Sequence, residues 1–266
     1  MKYKENFMEW EDPGVALITG ASSGIGAEFA RQLASQGFDL ILIARREERL
    51  ETLSRQLQER FSVIAEVFVG DLSKMDNNYN IVSKIKETNN LDILINNAGY
   101  GINNTFLKIE VSEHIDMINV HFTSAVMFCH AALPGMMKRE RGVIINTSST
   151  AAIHKSPMSV MYTSTKSALT VFSEILQEKV KNSNIYIQSL CPGFTYSEFH
   201  DTDSMRGFQR SWFPKESWMA SEDVVRLSLN AVKNGDIVFV PGDLNQNYTK
   251  KVRESTVEQY LNGKRL

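Results

Sequence analysis

Residues 15–37 constrain the fold most, because they join a short apolar run to a glycine-rich turn and then to a helical pattern. The apolar residues 15–18 end at Gly20, which indicates a buried strand. The apolar residues after the turn recur at steps of three and four up to Gly37, which indicates a helix. Glycines let a backbone approach phosphate groups, and a helix N-terminus supplies N–H donors. This segment therefore predicts a phosphate-binding turn.

The spacing of the glycines in this turn is G-x-x-x-G-x-G, at Gly20, Gly24 and Gly26, rather than the more common G-x-G-x-x-G. An ordinary turn that happens to contain glycines is the alternative interpretation. The strand before the turn and the helix after it favour phosphate binding, because a dinucleotide site needs both.

Residues 39–43 are predicted to form the second strand, and Ala44, Arg45 and Arg46 follow it. An acidic residue at this position would accept a hydrogen bond from the 2′-hydroxyl of NAD. Arg45 instead suits a phosphate dianion, so we predict NADP(H) in preference to NAD(H). A hydrogen bond to a charged group contributes about 1.5–3 kcal/mol, which gives a preference rather than exclusion. Alternatively, these arginines and Arg49 only occupy the start of a helix.

Strand and helix patterns alternate along the rest of the chain. Further strands are predicted at residues 63–69, 91–95, 143–146, 185–190 and 237–240. Helices are predicted at residues 47–60, 112–139, 160–181 and 221–233, with Ser112 as a candidate N-cap. Short connections and right-handed crossovers then predict a doubly wound parallel α/β sheet. We expect a single domain over residues 1–266 with its core at 14–240.

Polar residues follow the predicted strands, at the sheet edge where ligands bind in open α/β sheets. Asp71 could accept from an adenine amino group or cap the next turn, and both interpretations stay open. The sequence Asn96-Asn97-Ala98-Gly99 predicts a turn with side-chain hydrogen bonds. Asn119 lies among apolar helix positions and needs a hydrogen-bonding partner, which can be structural or functional.

Tyr162 and Lys166 are four residues apart in a predicted helix, so they lie on one face within reach of each other. A phenol has a reference pKa near ~10, and a neighbouring ammonium makes it a better proton donor. This pair is a plausible general acid for a carbonyl oxygen. Any tyrosine and lysine exposed on the surface of a helix can show the same spacing. Only the other motifs of the chain can therefore show whether this pair is catalytic.

Composition narrows the possible functions. The formal net charge of −2 gives no basic field for nucleic acid. The two cysteines, Cys129 and Cys191, lack C-x-x-C spacing, and a cytoplasmic setting is expected. The five histidines are scattered without metal-ligand spacing, so we interpret them as structural or surface residues and expect no metal. No apolar run approaches the ~18 residues of a membrane helix, and no signal-peptide core is present at the start.

The motifs together resemble the classical short-chain dehydrogenase/reductase family over about residues 14–240. The family pattern T-G-x-x-x-G-x-G is present at residues 19–26, and N-N-A-G at 96–99. Its catalytic serine precedes the tyrosine of Y-x-x-x-K by 13 residues, which selects Ser149 rather than Ser148. The P-G pair is present at Pro192 and Gly193. In the family's P-G-x-x-x-T pattern this chain has Ser197 last, which keeps a hydroxyl.

The resemblance implies a seven-stranded Rossmann-type sheet and hydride transfer from the nicotinamide C4. Tyr162 would be the general acid, and Ser149 would orient the substrate oxygen. Lys166 would lower the pKa of Tyr162 and hold the nicotinamide ribose, and Asn119 would fix a water towards Lys166. The cofactor-binding residues implied are Gly20, Ser22, Ser23, Gly24, Ile25, Gly26, Arg45, Asp71, Leu72, Asn97, Ala98, Gly99, Tyr162, Lys166, Pro192, Gly193 and Thr195.

Residues 195–220 are rich in aromatic side chains. They predict a lid over an apolar substrate pocket, and the alternatives are a cap whose aromatics pack inward or a subunit contact. Tyr100, Ile102, Ile153 and His154 are candidates for the opposite wall. The tail at residues 245–266 is compatible with a helix, a partner contact or disorder.

The expected function is NADPH-dependent reduction of a medium-sized, fairly apolar ketone or aldehyde, or alcohol oxidation in reverse. The alternative is a non-catalytic NADPH-binding sensor, which the complete set of four implied catalytic residues disfavours. The family resemblance also implies a homodimer or homotetramer through the two long helices around Asn119 and Tyr162.

Overall fold

The computed structural model describes residues 10–154 and 159–261. The strands in these ranges are β1 (Val15–Thr19), β2 (Asp39–Ala44), β3 (Ala65–Val69), β4 (Leu91–Asn96), β5 (Gly142–Thr147), β6 (Ile185–Leu190), β7 (Phe194–Tyr196), β8 (Trp218–Ala220) and β9 (Val238–Phe239). Within the described residues, seven of them form one parallel sheet in the order β3-β2-β1-β4-β5-β6-β9. This arrangement confirms the predicted doubly wound α/β fold.

Helices cover both faces of this sheet. They are α1 (Gly24–Ala34), α2 (Glu47–Phe61), α3 (Met75–Glu87), α4 (Val111–Ile118), α5 (Ser124–Arg139), α6 (Ala151–His154), α7 (Val160–Val180), α8 (Ser221–Asn234) and α9 (Asp243–Leu261). Phe29, Leu50 and Val225 of α1, α2 and α8 belong to one buried apolar cluster. A second cluster, which contains Ile81 and Phe128, buries α3 and α5.

The central strands contribute to both clusters, because successive side chains point to opposite faces. Ile18 of β1 packs into the first cluster, whereas Leu17 packs into the second. A sheet covered on both faces needs apolar residues at nearly every strand position. This explains why these strands read as continuous apolar runs in the sequence.

The sheet order reverses at β1, which pairs with β2 on one side and β4 on the other. The chain leaves these neighbouring strands in opposite directions, so a crevice opens at their carboxyl ends. The turns after β1, β4, β5 and β6 lie at this edge, and they carry most of the predicted site residues.

The predicted helix 112–139 contains an irregularity. Its helical backbone runs from Val111 to Arg139, but residues Asn119–Thr123 form a π-helical turn. The prediction of Ser112 as the N-cap is wrong. The carbonyl of Glu110 already accepts hydrogen bonds from the backbone N–H groups of Glu113 and His114, so Ser112 lies in the first turn.

The aromatic-rich segment between β7 and β8 consists of short 3₁₀ turns, and β7 and β8 pair in parallel as a small second sheet. The tail forms α9 up to Leu261, so the helical alternative is correct there. The rest of the predicted tail, residues 262–266, and the first nine residues of the predicted domain lie outside the described residues. None of the helices in the described ranges combines the length and apolar composition needed to cross a membrane.

Candidate active site

The glycine turn packs directly against the turn after β4. A Cβ placed on Gly20 would lie 2.9 Å from the Cα of Ala98, and one on Gly26 would lie 2.3 Å from the Gly20 carbonyl oxygen. Gly20 and Gly24 also adopt positive φ values of 67° and 54°. Gly20 and Gly26 therefore need glycine because other backbone atoms approach closely, and Gly20 and Gly24 need it because their backbone is left-handed.

Hydrogen bonds from Thr19 hold the turn after β4 in place. The Thr19 hydroxyl accepts from the backbone N–H groups of Asn97 and Ala98 at 3.0 and 3.1 Å, and Asn97 Nδ2 donates to the Thr19 carbonyl at 3.2 Å. The side chain of Asn97 is thus engaged within the protein. The predicted contact of residues 97–99 with a cofactor stays a prediction, and their backbone is the part available for it.

A cleft of about 450 Å³ adjoins the N-terminus of α1 and is lined by Ser22, Ser23 and Gly24. Ser23 precedes the helix in an extended conformation, and its side chain does not cap the first turn. The helix start therefore lacks a side-chain partner for its N–H groups, as an anion-binding helix N-terminus requires. This arrangement fits the phosphates of a dinucleotide.

Ser149, Tyr162 and Lys166 come together beside the ends of β5 and β6. The Ser149 hydroxyl neighbours the Tyr162 phenol and acts to lower its pKa. The Lys166 side chain is buried, its Nζ lies 5.8 Å from the centre of the Tyr162 ring, and it donates to the Thr147 carbonyl at 2.7 Å. By contrast, Ser148 bonds the Lys166 carbonyl and Thr170, so the two serines have different partners.

Burial sets the protonation of this cluster. The loss of water around Tyr162 raises the pKa of its phenol, and the hydrogen bond from Ser149 opposes that rise. Burial also lowers the pKa of Lys166 to about 8. Desolvation is the largest influence on the pKa of Tyr162, and the Lys166 ammonium donates to the Thr147 carbonyl, so a lowering of that pKa by Lys166 stays a prediction. The phenol is therefore protonated at neutral pH.

Asn119 begins the π-helical turn, and its Nδ2 donates to the Ser73 carbonyl at 3.3 Å. This bond connects the helix to the loop after β3, so the hydrogen-bonding partner of the Asn119 side chain is a structural one. The predicted water between Asn119 and Lys166 is a separate matter and stays a prediction.

His121, in the same π-helical turn, is a residue that the sequence analysis missed. The backbone N–H of Tyr100 donates to its Nε2 at 3.0 Å, so Nδ1 carries the proton and donates to Thr165 Oγ1 at 3.0 Å. Its ring meets the Tyr162 ring edge-on at 5.5 Å. Burial and the nearby Lys166 charge keep the pKa of His121 well below its usual value, so it is neutral. A histidine amid apolar helix positions was the available signal.

The residues predicted to contact the adenosine of a dinucleotide cofactor differ in their partners and burial. Asp71 Oδ1 accepts from the Ser73 backbone N–H at 3.0 Å, so it caps the next turn, and Leu72 is buried beside it. Arg45 is exposed. Arg46 is the arginine that contacts the glycine turn, because its guanidinium donates to the hydroxyls of Ser22 and Ser23. The proposed adenine and phosphate contacts of Asp71, Leu72 and Arg45 stay predictions.

The predicted nicotinamide side follows β6. The Pro192 carbonyl accepts from the Thr150 backbone N–H at 2.9 Å, and the buried Thr195 hydroxyl donates to the Gly193 carbonyl at 3.1 Å. A Cβ on Gly193 would lie 2.6 Å from Asn245 Oδ1, so α9 closes against this loop. The hydroxyl of Ser197 accepts from the Phe199 backbone N–H.

The aromatic residues of the predicted lid mostly pack on one another. The ring of Phe194 lies 4.2 Å from Phe213 and 5.0 Å from Trp218, measured between centroids, and Phe208 joins the same group. Phe199 is different, because it approaches the Tyr162 ring at 5.9 Å. The segment is thus an inward-packed cap with one aromatic residue at the catalytic cluster.

Of the residues expected on the opposite wall, Ile102 lines a small cavity beside Tyr162 together with Phe106, Met117 and Met161. His154 instead contacts Tyr248 of α9, with 4.4 Å between ring centroids. Across the described ranges, no group of three or more His, Cys, Asp or Glu side chains is placed to hold a metal ion.

Comparison with known proteins agrees with this geometry. The family model described as short chain dehydrogenase matches residues 14–206. A solved structure, a short-chain dehydrogenase from Sphingobium yanoikuyae in complex with NADPH, is 26% identical with a TM-score of 0.82, and the match covers 93% of this chain and 95% of that one. The fold is that of the short-chain dehydrogenases, a family of oxidoreductases. The chain belongs to the short-chain dehydrogenase family.

Several curated proteins are similar to this chain in sequence. The chain is 32% identical to hydroxysteroid dehydrogenase-like protein 1 of Gallus gallus, over 81% of this chain and 66% of that one. It is 34% identical to a very-long-chain 3-oxoacyl-CoA reductase of Laccaria bicolor, over 69% and 55%. It is also 32% identical to inactive hydroxysteroid dehydrogenase-like protein 1 of Homo sapiens, over 66% and 54%. The chain thus spans about half to two thirds of the length of these relatives.

Proposed function

We propose that this chain is an NADP(H)-dependent oxidoreductase that reduces a ketone or aldehyde to an alcohol, or catalyses the reverse oxidation. The observation that carries this proposal is that Ser149, Tyr162 and the buried Lys166 come together beside the ends of β5 and β6, at the sheet edge that also carries the glycine turn. Two hydroxyls at one point can both hydrogen-bond a substrate oxygen, as stabilisation of a carbonyl reduction requires.

A bound dihydronicotinamide supplies the hydride for the carbonyl carbon in this chemistry. Tyr162 then donates its phenolic proton to the carbonyl oxygen, which becomes the alcohol hydroxyl. Its raised pKa suits this role, because the phenol stays protonated until the oxygen gains negative charge. Ser149 donates a hydrogen bond to the same oxygen, and the positive charge of Lys166 stabilises the phenolate that remains.

The preference for NADP(H) rests on the arginines after β2. Arg45 is exposed at the strand end, and Arg46 lies against the glycine turn through Ser22 and Ser23. Either guanidinium suits a 2′-phosphate, and residues 44–46 include no acidic side chain that could accept from a 2′-hydroxyl. The Sphingobium relative in complex with NADPH supports the same choice.

The proposed substrate is medium-sized and fairly apolar. The cavity beside Tyr162 is lined mainly by aliphatic, methionine and aromatic side chains, and Phe199 approaches from the other side. The names of two relatives, a hydroxysteroid dehydrogenase-like protein and a 3-oxoacyl-CoA reductase, are consistent with apolar carbonyl compounds. An apolar wall favours such substrates over sugars, because it offers few partners for sugar hydroxyls.

A non-catalytic NADPH-binding protein is the second candidate, and the human relative named inactive favours it. The grouping of Ser149 and Tyr162 with the buried Lys166 weighs against it. Burying an ammonium is costly, and a protein that only bound the cofactor would have no need to keep a tyrosine and a serine beside it.

The deciding experiment follows NADPH consumption by the purified protein with aliphatic, aromatic and steroid-like ketones and aldehydes, and with charged sugars for comparison. We expect turnover on apolar compounds, faster with NADPH than with NADH. The Tyr162→Phe variant removes only the phenolic hydroxyl and should lower kcat by about 10²–10⁴-fold. Tight NADPH binding without turnover of any compound would favour the non-catalytic candidate, and turnover of sugars alone would contradict the apolar pocket.

A further inference from the structure

Glu198 reaches across the cofactor cleft to two arginines on the far side. Its carboxylate accepts from Arg46 Nη1 at 2.8 Å and from Arg49 Nη1 at 2.5 and 2.6 Å. The two guanidinium groups hold the pKa of Glu198 below its usual value, so it is ionised at neutral pH. The anion comes from the cap segment after β7, whereas the cations come from the end of β2 and the start of α2.

Arg46 connects this anion to the phosphate-binding turn. Its Nε and Nη2 donate to Ser22, and Nη2 also donates to Ser23, while Nη1 holds Glu198. The side chains of Glu198 and Arg46 are 46% and 45% exposed, so a ligand entering the cleft can reach the pair. A phosphate that binds Arg46 therefore meets the Glu198 carboxylate at the same guanidinium.

The 3₁₀ turn Glu198–Asp201 also approaches the catalytic cluster. Phe199, the next residue, lies 5.9 Å from the Tyr162 ring and would touch a Cβ on Gly101 at 3.2 Å. One short turn thus contacts the cofactor-side arginines through one residue and the catalytic tyrosine through its neighbour. A displacement of Glu198 would move Phe199 with it.

We propose that Glu198 is a specificity-determining residue whose carboxylate competes with the 2′-phosphate of NADP(H) for Arg46 and Arg49. The inference rests on the proposed use of NADP(H). A 2′-phosphate carries up to two negative charges and repels the carboxylate, so its binding releases the Glu198–Asp201 turn. NAD(H) carries a hydroxyl at this position and leaves the ion pair intact. Glu198 therefore weakens the preference for NADP(H) and couples that preference to the position of Phe199.

The test compares Glu198→Gln with the wild type in fluorescence titrations with NADPH and with NADH. The variant keeps the shape and loses the charge at an exposed position. We expect the Kd for NADPH to fall about threefold to tenfold, because exposed ion pairs are individually weak, and the Kd for NADH to change by less than about twofold. An unchanged or higher Kd for NADPH overturns the proposal, since Glu198 would then be neutral or would organise the arginines.

Asp201→Asn is the matched control. Asp201 lies in the same turn, but its carboxylate accepts from Arg210 at 2.6 Å rather than from Arg46 or Arg49. This variant should leave the ratio of the two Kd values unchanged, and an effect as large as that of Glu198→Gln would show that only net charge matters. A wild type that binds neither cofactor overturns the proposed function and this inference together. A wild type that binds NADPH while Glu198→Gln binds it no better overturns this inference alone.

Hydrogen exchange tests the coupling to the cap. The probes are 2′,5′-ADP, which carries the additional phosphate, and 5′-ADP, which lacks it. In the wild type we expect 2′,5′-ADP to give faster amide exchange over residues 198–206 than 5′-ADP. In Glu198→Gln the two probes should give the same exchange. Equal exchange with both probes in the wild type overturns the release of the turn.

Discussion

Lys166 is a buried cation, and its environment makes a prediction about stability. Burial lowers its pKa from 10.5 to about 8 on folding. Between these pH values the unfolded chain binds a proton that the folded protein does not, so stability rises with pH across this window. Below pH 8 the buried charge lowers stability by a constant amount, on the order of 3 kcal/mol.

The substitution Lys166→Met removes this charge and keeps most of the volume. We expect the variant to be inactive yet more stable than the wild type at pH 7, by about 1–3 kcal/mol in urea unfolding, since the lost bond to Thr147 offsets part of the gain. The difference should shrink as the pH approaches 10.5. Lys179→Met, at an exposed site on the same helix, should show no such pH dependence. A variant less stable than wild type at pH 7 would contradict the argument from burial.

His121 is proposed to position the catalytic helix, because it joins the Tyr100 backbone to Thr165 beside Tyr162. His121→Phe keeps a ring but loses both hydrogen bonds and leaves the Tyr100 N–H without its partner. We expect a loss of about 1–3 kcal/mol in the free energy of unfolding and a lower kcat.

The pH profile of kcat should keep its shape in His121→Phe, because His121 is already neutral in the wild type. A shifted profile would instead show that His121 takes part in proton transfer. His130→Gln, at an exposed position of α5, is the control and should change neither stability nor kcat.

At the scale of elements, the unit β1–turn–α1 depends on the absence of side chains at particular glycines. A Cβ on Gly26 would lie 2.3 Å from the Gly20 carbonyl oxygen, which is backbone that has little room to move. Gly26→Ala should destabilise the protein by about 2 kcal/mol or more and abolish cofactor binding. Gly135 in α5 has only Arg139 Nη1 nearby, at 3.4 Å.

Gly135→Ala should therefore stabilise the protein by about 0.5–1 kcal/mol, since alanine is the better helix former. Thermal unfolding and NADPH titration of both variants measure the contrast. Equal effects of the two substitutions would show that crowding around Gly26 is not what the turn requires.

At the scale of the whole molecule, two helices in contact, α4 and α7, each carry exposed apolar residues. Val111 and Ile115 of α4 and Val171 and Ile175 of α7 are each four residues apart and 50–73% exposed. We propose these helices for the interface of the predicted homodimer or homotetramer, because exposed apolar side chains on adjacent helices are typical of interfaces. Light scattering after gel filtration should give a multiple of 30.1 kDa.

Ile175→Glu would place a charge on this proposed interface, and we expect it to lower the oligomeric mass while the isolated chain stays folded. Lys179→Glu, one turn further along α7 at an exposed charged position, is the control and should keep the wild-type mass. A wild-type mass of a single chain would contradict the proposal.

Patterns of adjacent residues predicted the strands and helices, because burial and helical periodicity are reflected in residues close together in the sequence. Apolar runs bounded by glycine or proline located the strands of the large sheet to within two residues, and helical spacing placed Tyr162 near Lys166. The details that failed depend on neighbours. Glu110 rather than Ser112 is the N-cap of α4, and burial raises the pKa of Tyr162, which the four-residue spacing to Lys166 does not indicate.

The sequence by itself determined the parallel α/β fold, the glycine turn and the spacing of serine, tyrosine and lysine, because strand burial, turn conformation and helix periodicity are properties of adjacent residues. Only the tertiary structure decided that Arg46 contacts the glycine turn, that His121 links Tyr100 to Thr165, and that Glu198 meets Arg46 and Arg49. Glu198 and Arg46 are 152 positions apart. Such contacts depend on how distant elements pack, and the electrostatics of the site follow from that packing.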